Sequence, residues 1–586
     1  MSGEAGSGQT ADGSDGRWPT LRWGLFSAVT LWLAQPPVGW WLLAWVAPIG
    51  WLMIVRRDAA TDGSLDRRDW LCIYASGVVY WAAACHWVCL PHPLTPIGWV
   101  FLSLYLGLYP TAFVWLTRVA TRRVRVPLWL AAPVVWVGLE CLQARLFSGL
   151  LMGALSHSQA SVFWSALVAP TSGAFGVSFL VIAVAAFVTP SRKCGKGANG
   201  RVLIVGRFAC LLAIVGGIGS FGSSMFDEAA EAASRSAVAE QGALTVAVIQ
   251  GNTLATWDHD FDERNRQIMD RQSALSVEAV ERARANGKTL DLIVWPESMF
   301  RTPLDTFGGQ LTAPGWADEG LRLRRKNLAD WFRSLTAKLG TPLLVGLDRF
   351  DWRPATNDAA DGPDGFPTAD VYNTAALIDR SGELVAIYDK THLVPFGEYI
   401  PLLSGVPALY FLTPVGAGMA AGDGPVAFEL ETADGRTVTI APSICFETVV
   451  PRVIRRQVAE LTDAGTPPDL LVNITNDAWF WGSAELDTHL ACAQYRAAET
   501  GTPMVVAANG GLSAVIDGSG RVLDVGPRME EHVLIYDVPL KRDDSPTPYV
   551  LYGDWFALSC LALCGVAAIL GVLPRKGTTD DTDKYG

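Results

Sequence analysis

Three side chains of different chemical type sit at or near the ends of apolar runs in the C-terminal half of the chain. Glu297 follows Leu292-Ile293-Val294-Trp295-Pro296, and Cys445 follows Pro442-Ser443-Ile444. Lys390 lies within Tyr388-Asp389-Lys390-Thr391-His392-Leu393-Val394-Pro395-Phe396-Gly397-Glu398. A thiol is the strongest side-chain nucleophile near neutral pH, but only as the thiolate. A carboxylate beside it can take its proton, and an ammonium can hold both the thiolate and the oxyanion of a tetrahedral intermediate. Glu297 as base, Cys445 as nucleophile and Lys390 as electrostatic partner would therefore make a complete acyl-transfer set. Taken singly, each has a plainer role. A cysteine after a strand is commonly a small core residue, a lysine is commonly solvated, and a glutamate can cap a helix or pair with a cation.

The elements that must position these residues alternate in type. Apolar runs rich in β-branched residues and bounded by Gly, Pro, Asn or Asp predict strands at Leu244–Gln250, Leu290–Pro296, Pro342–Leu347, Tyr372–Asp379, Thr437–Ile444, Asp469–Thr475 and Met504–Asn509. Periodic stretches predict helices at Phe261–Ala285, Leu321–Leu339, Thr448–Leu461 and Ala484–Thr500. Such alternation predicts a layered α/β domain over residues 226–550. In such folds a carboxylate just past a buried strand stands at the rim where sites are built. The Pro-, Gly- and Asp-rich stretch Asp351–Asp370 reads as a surface loop.

The rest of the chain is of another kind. Half of all residues are hydrophobic and only 18% are charged, against about 25% in a soluble domain. The excess gathers in residues 21–222 and again in 553–573. A crossing helix needs about 20 apolar residues. Candidate spans are Trp23–Ala34, Trp40–Val55, Trp70–Leu90, Ile97–Thr117, Leu128–Phe147, Phe163–Val188, Val202–Phe221 and Gly553–Leu573. Gln35-Pro36-Pro37 divides the first two, which are short enough to form a tight hairpin or a re-entrant element. Alternate linkers carry the positive charge: Arg56, Arg57, Arg67 and Arg68, then Arg118, Arg122, Arg123 and Arg125, then Arg192, Lys193, Lys196 and Arg201, with Arg575, Lys576 and Lys584 in the tail. The loops Gln35–Gly39 and Pro91–Pro96 have none. The bias predicts eight crossings, both termini in the cytoplasm and the α/β domain on the far side. Tryptophans near span ends, such as Trp40, Trp70, Trp99 and Trp555, fit headgroup anchoring. Residues 1–20 and 574–586 read as cytoplasmic tails, the first Gly-, Ser- and Asp-rich and unable to fold alone.

The segments around the three residues carry a resemblance. VWPES around Glu297, YDKTHLVPFGEYIP around Lys390, SICFE around Cys445, TNDAWF at Thr475–Phe480, AANGGLSAV at Ala507–Val515 and QGN at Gln250–Asn252 are similar to the nitrilase, or carbon-nitrogen hydrolase, superfamily. Joined to the apolar helices, they resemble its membrane-embedded branch, the apolipoprotein N-acyltransferases of the bacterial inner membrane. The resemblance implies a nitrilase-like αββα sandwich inserted between the seventh and eighth helices of a transmembrane bundle, with its catalytic domain on the periplasmic side. It implies transfer of an acyl chain from a phospholipid, typically phosphatidylethanolamine, to a thioester on Cys445. The amine of a lipoprotein's diacylglyceryl-cysteine then takes up the chain. Glu297 would act as base and Lys390 as oxyanion partner. Glu398 and Glu447 match the family's supporting glutamates, Trp257 and Trp479 its substrate-facing tryptophans, and Asn476 belongs to the TNDAWF segment. Phe446 stands where the family usually has Tyr, Trp481 where it has Gly, and Asn509-Gly510-Gly511 where it has Asn-Asn-Gly. These departures bear on lipid preference more than on reaction type. A monomer without a cofactor is expected. A membrane-anchored amidase, with water resolving the thioester, and a non-catalytic lipid-binding scaffold are the competing readings.

Other signals are weaker. The net charge of −12 and the lack of a basic stripe argue against nucleic acid. Cys492 offers a disulfide rival for Cys445. Cys85, His86, Cys89 and His92 superficially resemble a metal set, though Pro91 would end that helix and apolar packing is the commoner fate of membrane cysteines. His392 and His489 are placed to approach the site, but each is expected to be a hydrogen-bonded structural histidine. The apolar arm Pro401–Thr413 is either a lipid-facing element or a core-packed loop.

Overall fold

The computed structural model describes residues 19–57, 65–190, 198–255, 261–298, 300–354, 368–400, 418–541 and 545–573. Trp257, the arm Pro401–Thr413, most of the proposed Asp351–Asp370 loop and nearly all of both tails lie outside the described residues.

The N-terminal half is helical: α1 (Pro19–Ala34), α2 (Ile49–Val55), α3 (Arg67–Ala84), α4 (Thr95–Leu106), α5 (Leu108–Arg122), α6 (Leu128–Gln143), α7 (Trp164–Val188) and α8 (Ala198–Gln241). Several predicted spans are broken. Trp40–Val55 is a short 3-10 turn, Trp41–Trp45, followed by α2, with Pro48 at the junction. Trp70–Leu90 splits at Cys85 into α3 and a 3-10 turn, and Ile97–Thr117 falls across α4 and α5, which meet at Gly107. Among the described residues, four helical stretches are long and apolar enough to cross a membrane: Thr95–Arg122, Trp164–Val188, Ala209–Ala232 and Trp555–Val572. Inside, Trp51, Leu52, Ile73, Phe113, Val135 and Val177 form a dry core. Outside, Phe101 (68% exposed), Phe187 (75%) and Val572 (77%) project from helices of the same bundle. A bundle with both an apolar core and an apolar exterior suits a lipid surround rather than water. The seventh expected span, Val202–Phe221, also outruns its predicted end. Residues 222–241, rich in Ala and Glu, continue α8 past the expected boundary at 226, and the first strand begins at Ala243.

The C-terminal half holds two sheets. One runs β13 (His532–Pro539), β1 (Ala243–Gln250), β2 (Leu292–Val294), β4 (Leu343–Arg353), β5 (Thr368–Ile378), β6 (Leu384–Asp389), with β3 (Phe300–Phe307) also paired to β4. The other runs β12 (Val522–Val525), β11 (Ala514–Ile516), β10 (Met504–Asn509), β9 (Leu470–Asn476), β8 (Thr437–Ile444), β7 (Phe428–Glu431). The central strands of each sheet are parallel. They are buried on both faces, which is why they read as unbroken apolar runs. Val246, Val248 and Leu292 of the first sheet meet Ile440, Val472 and Val505 of the second in one core. Helices α9 (Phe261–Ala285) and α10 (Glu319–Leu339) cover the outer face of the first sheet, and α11 (Pro451–Asp463) and α12 (Ala484–Thr500) that of the second. The order of layers is helix, sheet, sheet, helix, as expected. The helix predicted from Thr448 begins three residues later, at Pro451. A 3-10 turn occupies Cys445–Val449, and proline favours a first helical position.

The two halves share α12. Its residues from Leu486 to Thr500 are buried almost throughout. Ala493 and Ala497 face the sheet, whereas Ala491, Tyr495 and Ala498 join the core of the bundle. The Tyr495 hydroxyl donates to the Ser156 carbonyl at 2.7 Å. Glu499 accepts the Ala174 N–H at 2.9 Å, where α7 is broken by Gly173 at φ 67. Two further helices follow the sheets, the short α13 (Pro548–Tyr552) and the longer, apolar α14 (Trp555–Val572), which packs on α6.

Candidate active site

Parallel strands deliver their C-terminal ends to one rim. Glu297 comes after β2, Lys390 after β6, Cys445 after β8, Asn476 ends β9 and Asn509 ends β10. Glu297, Lys390 and Glu398 form a buried ionic cluster: the Lys390 ammonium lies 2.8 Å from Glu398 Oε1 and 3.6 Å from Glu297 Oε1. Asn373, on β5, ties the cluster together. Its Nδ2 donates to Glu297 Oε1 at 2.6 Å and to Glu398 Oε1 at 3.4 Å, and its carbonyl accepts the Lys390 N–H at 2.8 Å. The Asn476 N–H donates to Glu297 Oε2 at 2.9 Å, and the Val394 N–H to Glu398 Oε2 at 2.8 Å.

Cys445 begins its turn at φ 50, a left-handed conformation costly for a residue with a Cβ. Glu447 stabilises that turn from beneath. Its Oε2 accepts the Ile444 N–H at 2.8 Å. Its Oε1 accepts the Tyr388 hydroxyl at 2.8 Å, the Thr391 N–H at 2.8 Å, the Thr391 hydroxyl at 2.7 Å and the His392 N–H at 3.1 Å. One buried carboxylate thus couples the strand before Cys445 to the loop that carries Lys390.

Electrostatics follow from burial and proximity. Burial and the Glu297 carboxylate push the Cys445 thiol well above its usual pKa, and Lys390 pulls it back. Burial also raises Glu297, against the pull of Lys390 and with a further push from Glu398. Burial works against the Lys390 ammonium, but Glu398, Cys445 and Glu297 outweigh it and hold the amine above its usual range. At rest the sulfur carries its proton, next to a carboxylate whose affinity for protons has been raised and a cation fixed in its charged form.

Phe446 lies against the helical half, packed with Trp87, Leu150 and Met152, and stacks on His392 at 6.0 Å. Trp87 also meets Phe480 edge-on at 5.3 Å. The Ser148 hydroxyl bonds the His392 ring at 2.9 Å, and Arg452 donates to the Ser148 carbonyl at 2.9 Å. Burial and Arg452 press His392 down to about 4. Phe147, Phe396 and Trp481 stand exposed nearby. Trp479 is half-buried, and the Asn476 carboxamide accepts from Asn509 at 2.9 Å.

The expected rivals resolve differently. Cys445 and Cys492 are both free thiols, so the disulfide is set aside. Among the described residues Cys85, His86, Cys89 and His92 do not gather as a metal-holding group. Asp477, Glu485 and His489 do come together, and hydrogen bonding of the His489 ring to Asp477 at 3.1 Å accounts for their closeness. Sequence reading missed Asn373 and Asp477. The signal for Asn373 was an amide side chain in an otherwise apolar strand; a buried amide demands partners.

Residues 245–544 match the family model described as carbon-nitrogen hydrolase, and residues 27–187 match that of the apolipoprotein N-acyltransferase N-terminal domain. An apolipoprotein N-acyltransferase of Rhodopirellula baltica is 30% identical over 94% of this chain and 97% of its own length. This chain belongs to the apolipoprotein N-acyltransferase family. Another member, from Geobacter metallireducens, is 32% identical over 93% of this chain and 94% of its own. The α/β half is also similar to a solved amidase from Nesterenkonia sp. AN1, at 18% identity and a TM-score of 0.33, over 50% of this chain and 90% of that one.

Proposed function

We propose that this apolipoprotein N-acyltransferase family member is a membrane enzyme that transfers an acyl chain from a phospholipid to the N-terminal diacylglyceryl-cysteine of an apolipoprotein, through a thioester on Cys445. The observation that carries the reading is the meeting of Glu297, Lys390 and Cys445 at the rim facing Trp87, Leu150 and Met152 of the apolar bundle. In the first half-reaction Glu297 takes the thiol proton as sulfur attacks the ester carbonyl. The oxyanion forms beside the Lys390 ammonium. Collapse breaks the ester C–O bond, the lysophospholipid leaves with the proton from Glu297, and the thioester remains. In the second, the lipopeptide amine attacks the thioester and gives its proton to Glu297. The C–S bond breaks, the amide is released, and the thiolate recovers that proton. Glu398 and Asn373 hold Lys390 and Glu297 in place, and Glu447 holds the turn of Cys445.

A lipid substrate suits this placement. An acyl chain drawn into water would lose about 0.8 kcal/mol per CH₂, and a site beside the bundle lets it stay on apolar surface. The arginine-rich linkers support an orientation in which the α/β half, between the seventh and eighth of the expected spans, lies on the periplasmic side of the inner membrane.

Intact-mass measurement after incubation with defined phosphatidylethanolamine tests the proposal. A single acyl adduct is expected on the wild type, absent from Cys445→Ala, and discharged by a diacylglyceryl lipopeptide with N-acylation. Discharge by water alone to free acid would favour an amidase. An adduct that survives Cys445→Ala would overturn the mechanism.

A further inference from the structure

His489 lies on α12, directly behind the turn of Cys445, and both of its ring nitrogens face oxygen. Nδ1 is 3.1 Å from Asp477 Oδ1 and 3.7 Å from Glu485 Oε1. Nε2 is 2.8 Å from the Thr448 hydroxyl and 3.2 Å from the Cys445 carbonyl. A carboxylate and a carbonyl can only accept, so a lone pair on either nitrogen would face another lone pair. The Thr448 hydroxyl donates to the same Cys445 carbonyl at 3.1 Å, which leaves its oxygen free to accept from Nε2. The arrangement is satisfied when both nitrogens carry hydrogen. His489, Asp477 and Glu485 are all at least nine-tenths buried, and one oxygen of Glu485 has no hydrogen-bond partner.

We propose, resting on Cys445 as the nucleophile, that His489 is a positioning residue: as an imidazolium held by Asp477, it clamps the Cys445 carbonyl and keeps the sulfur aimed at the reaction centre. The clamped residue needs such a hold. Cys445 sits at φ 50, a left-handed conformation that is unfavourable for a residue with a Cβ. Glu447 fixes the N–H side of the turn through Ile444, and His489 with Thr448 fixes the carbonyl side. The groups facing the ring are Asp477 from the turn after β9, Glu485 from one turn earlier on α12, and Cys445 and Thr448 from the nucleophile turn. Burial disfavours the imidazolium, but Asp477 and then Glu485 outweigh it and bring the ring up to about 9. Burial and Asp477 push Glu485 well up, and Asp477 is the carboxylate nearer to the ring.

The test reads the thiol directly, on the full-length protein in detergent, as the rate of iodoacetamide alkylation at Cys445 located by peptide mass mapping. A charged hydrogen bond is worth enough that His489→Ala should slow alkylation about ten- to a hundredfold, with partial rescue in His489→Gln, which keeps an N–H donor. Asp477→Asn removes the charge that holds the proton. Its rate relative to wild type should therefore fall about tenfold as the pH rises between about 5 and 8, because burial makes the ring lose its proton at a lower pH than in the wild type. Wild-type alkylation in a folded His489→Ala, or a relative rate for Asp477→Asn that is flat with pH, would overturn the inference. If His489→Ala does not fold, the pH profile of Asp477→Asn decides alone. Failure of the wild type to form an acyl adduct from phosphatidylethanolamine would sink the proposed function instead, and would leave these alkylation ratios unaffected.

Discussion

Removing the Lys390 ammonium should make the protein's stability steeply dependent on pH. The amine stands between two buried carboxylates, 2.8 Å from Glu398 and 3.6 Å from Glu297. Lys390→Ala leaves both without a counter-charge, and loss of one partner of a buried pair costs about 3–5 kcal/mol. A proton can replace the missing cation. Burial already raises Glu297, and Lys390 is the group that restrains that rise. Without it the folded-state pKa climbs further, while the unfolded value stays near about 4.3. A carboxyl raised in the folded state contributes its full stability below the unfolded pKa and loses it as pH rises through the folded one. The deficit of Lys390→Ala should therefore be small near about pH 5 and grow by up to about 1.4 kcal/mol per pH unit, towards about 3–5 kcal/mol by about pH 8. Thermal unfolding of full-length protein in detergent, followed by tryptophan fluorescence at both pH values, measures it. Glu398→Gln added to Lys390→Ala should recover much of the loss at the higher pH. An equal deficit at both pH values, or no recovery in the double variant, would refute the reasoning.

Glu297→Gln should leave the protein folded, because an amide still accepts from Asn373 or Asn476, but should abolish the acyl adduct on Cys445 by mass spectrometry. Glu447→Gln turns an N–H₂ group towards at least one of its present donors, so a loss of about 1–3 kcal/mol is expected by thermal unfolding, with slower adduct formation. Gly173→Ala places a methyl 2.7 Å from Tyr549 Cε2 at φ +67, and should lower the melting temperature of the whole chain. Trp481→Gly removes a left-handed tryptophan at a rim position, so stability should be unchanged or rise by about 1 kcal/mol, read by the same melt.

The parts of the site that the sequence exposed are those fixed by strand ends. Glu297 and Cys445 follow apolar runs buried on both faces, and a polar residue closing such a run stands out in one dimension. Asn373 and Asp477 were missed for a different reason: their roles are set by partners from β2, β6 and α12, brought close only by the sandwich. Short strands such as β7, β11 and β12 escaped notice, since three or four residues carry too little alternation to register. Helix α8 ran past its predicted end because the stretch after Phe221 trades apolar residues for Ala and Glu, ending the membrane signal without ending the helix. The expected spans over Trp40–Val55 and Trp70–Leu90 had the hydropathy of single helices, yet each contains a 3-10 turn that no average over a window can register.

Helix α12 is a party wall, roofed on one side by the second sheet and on the other by the bundle. A fragment cut free of the first eight helices would bare Ala491, Tyr495 and Ala498 to water and take from the Glu499 carboxylate the N–H of Ala174 at the break in α7. The globular portion is thus no passenger on its anchor. The distance of Cys445 from the bundle is a fixed dimension of the architecture, set in part by a helix that both halves must own.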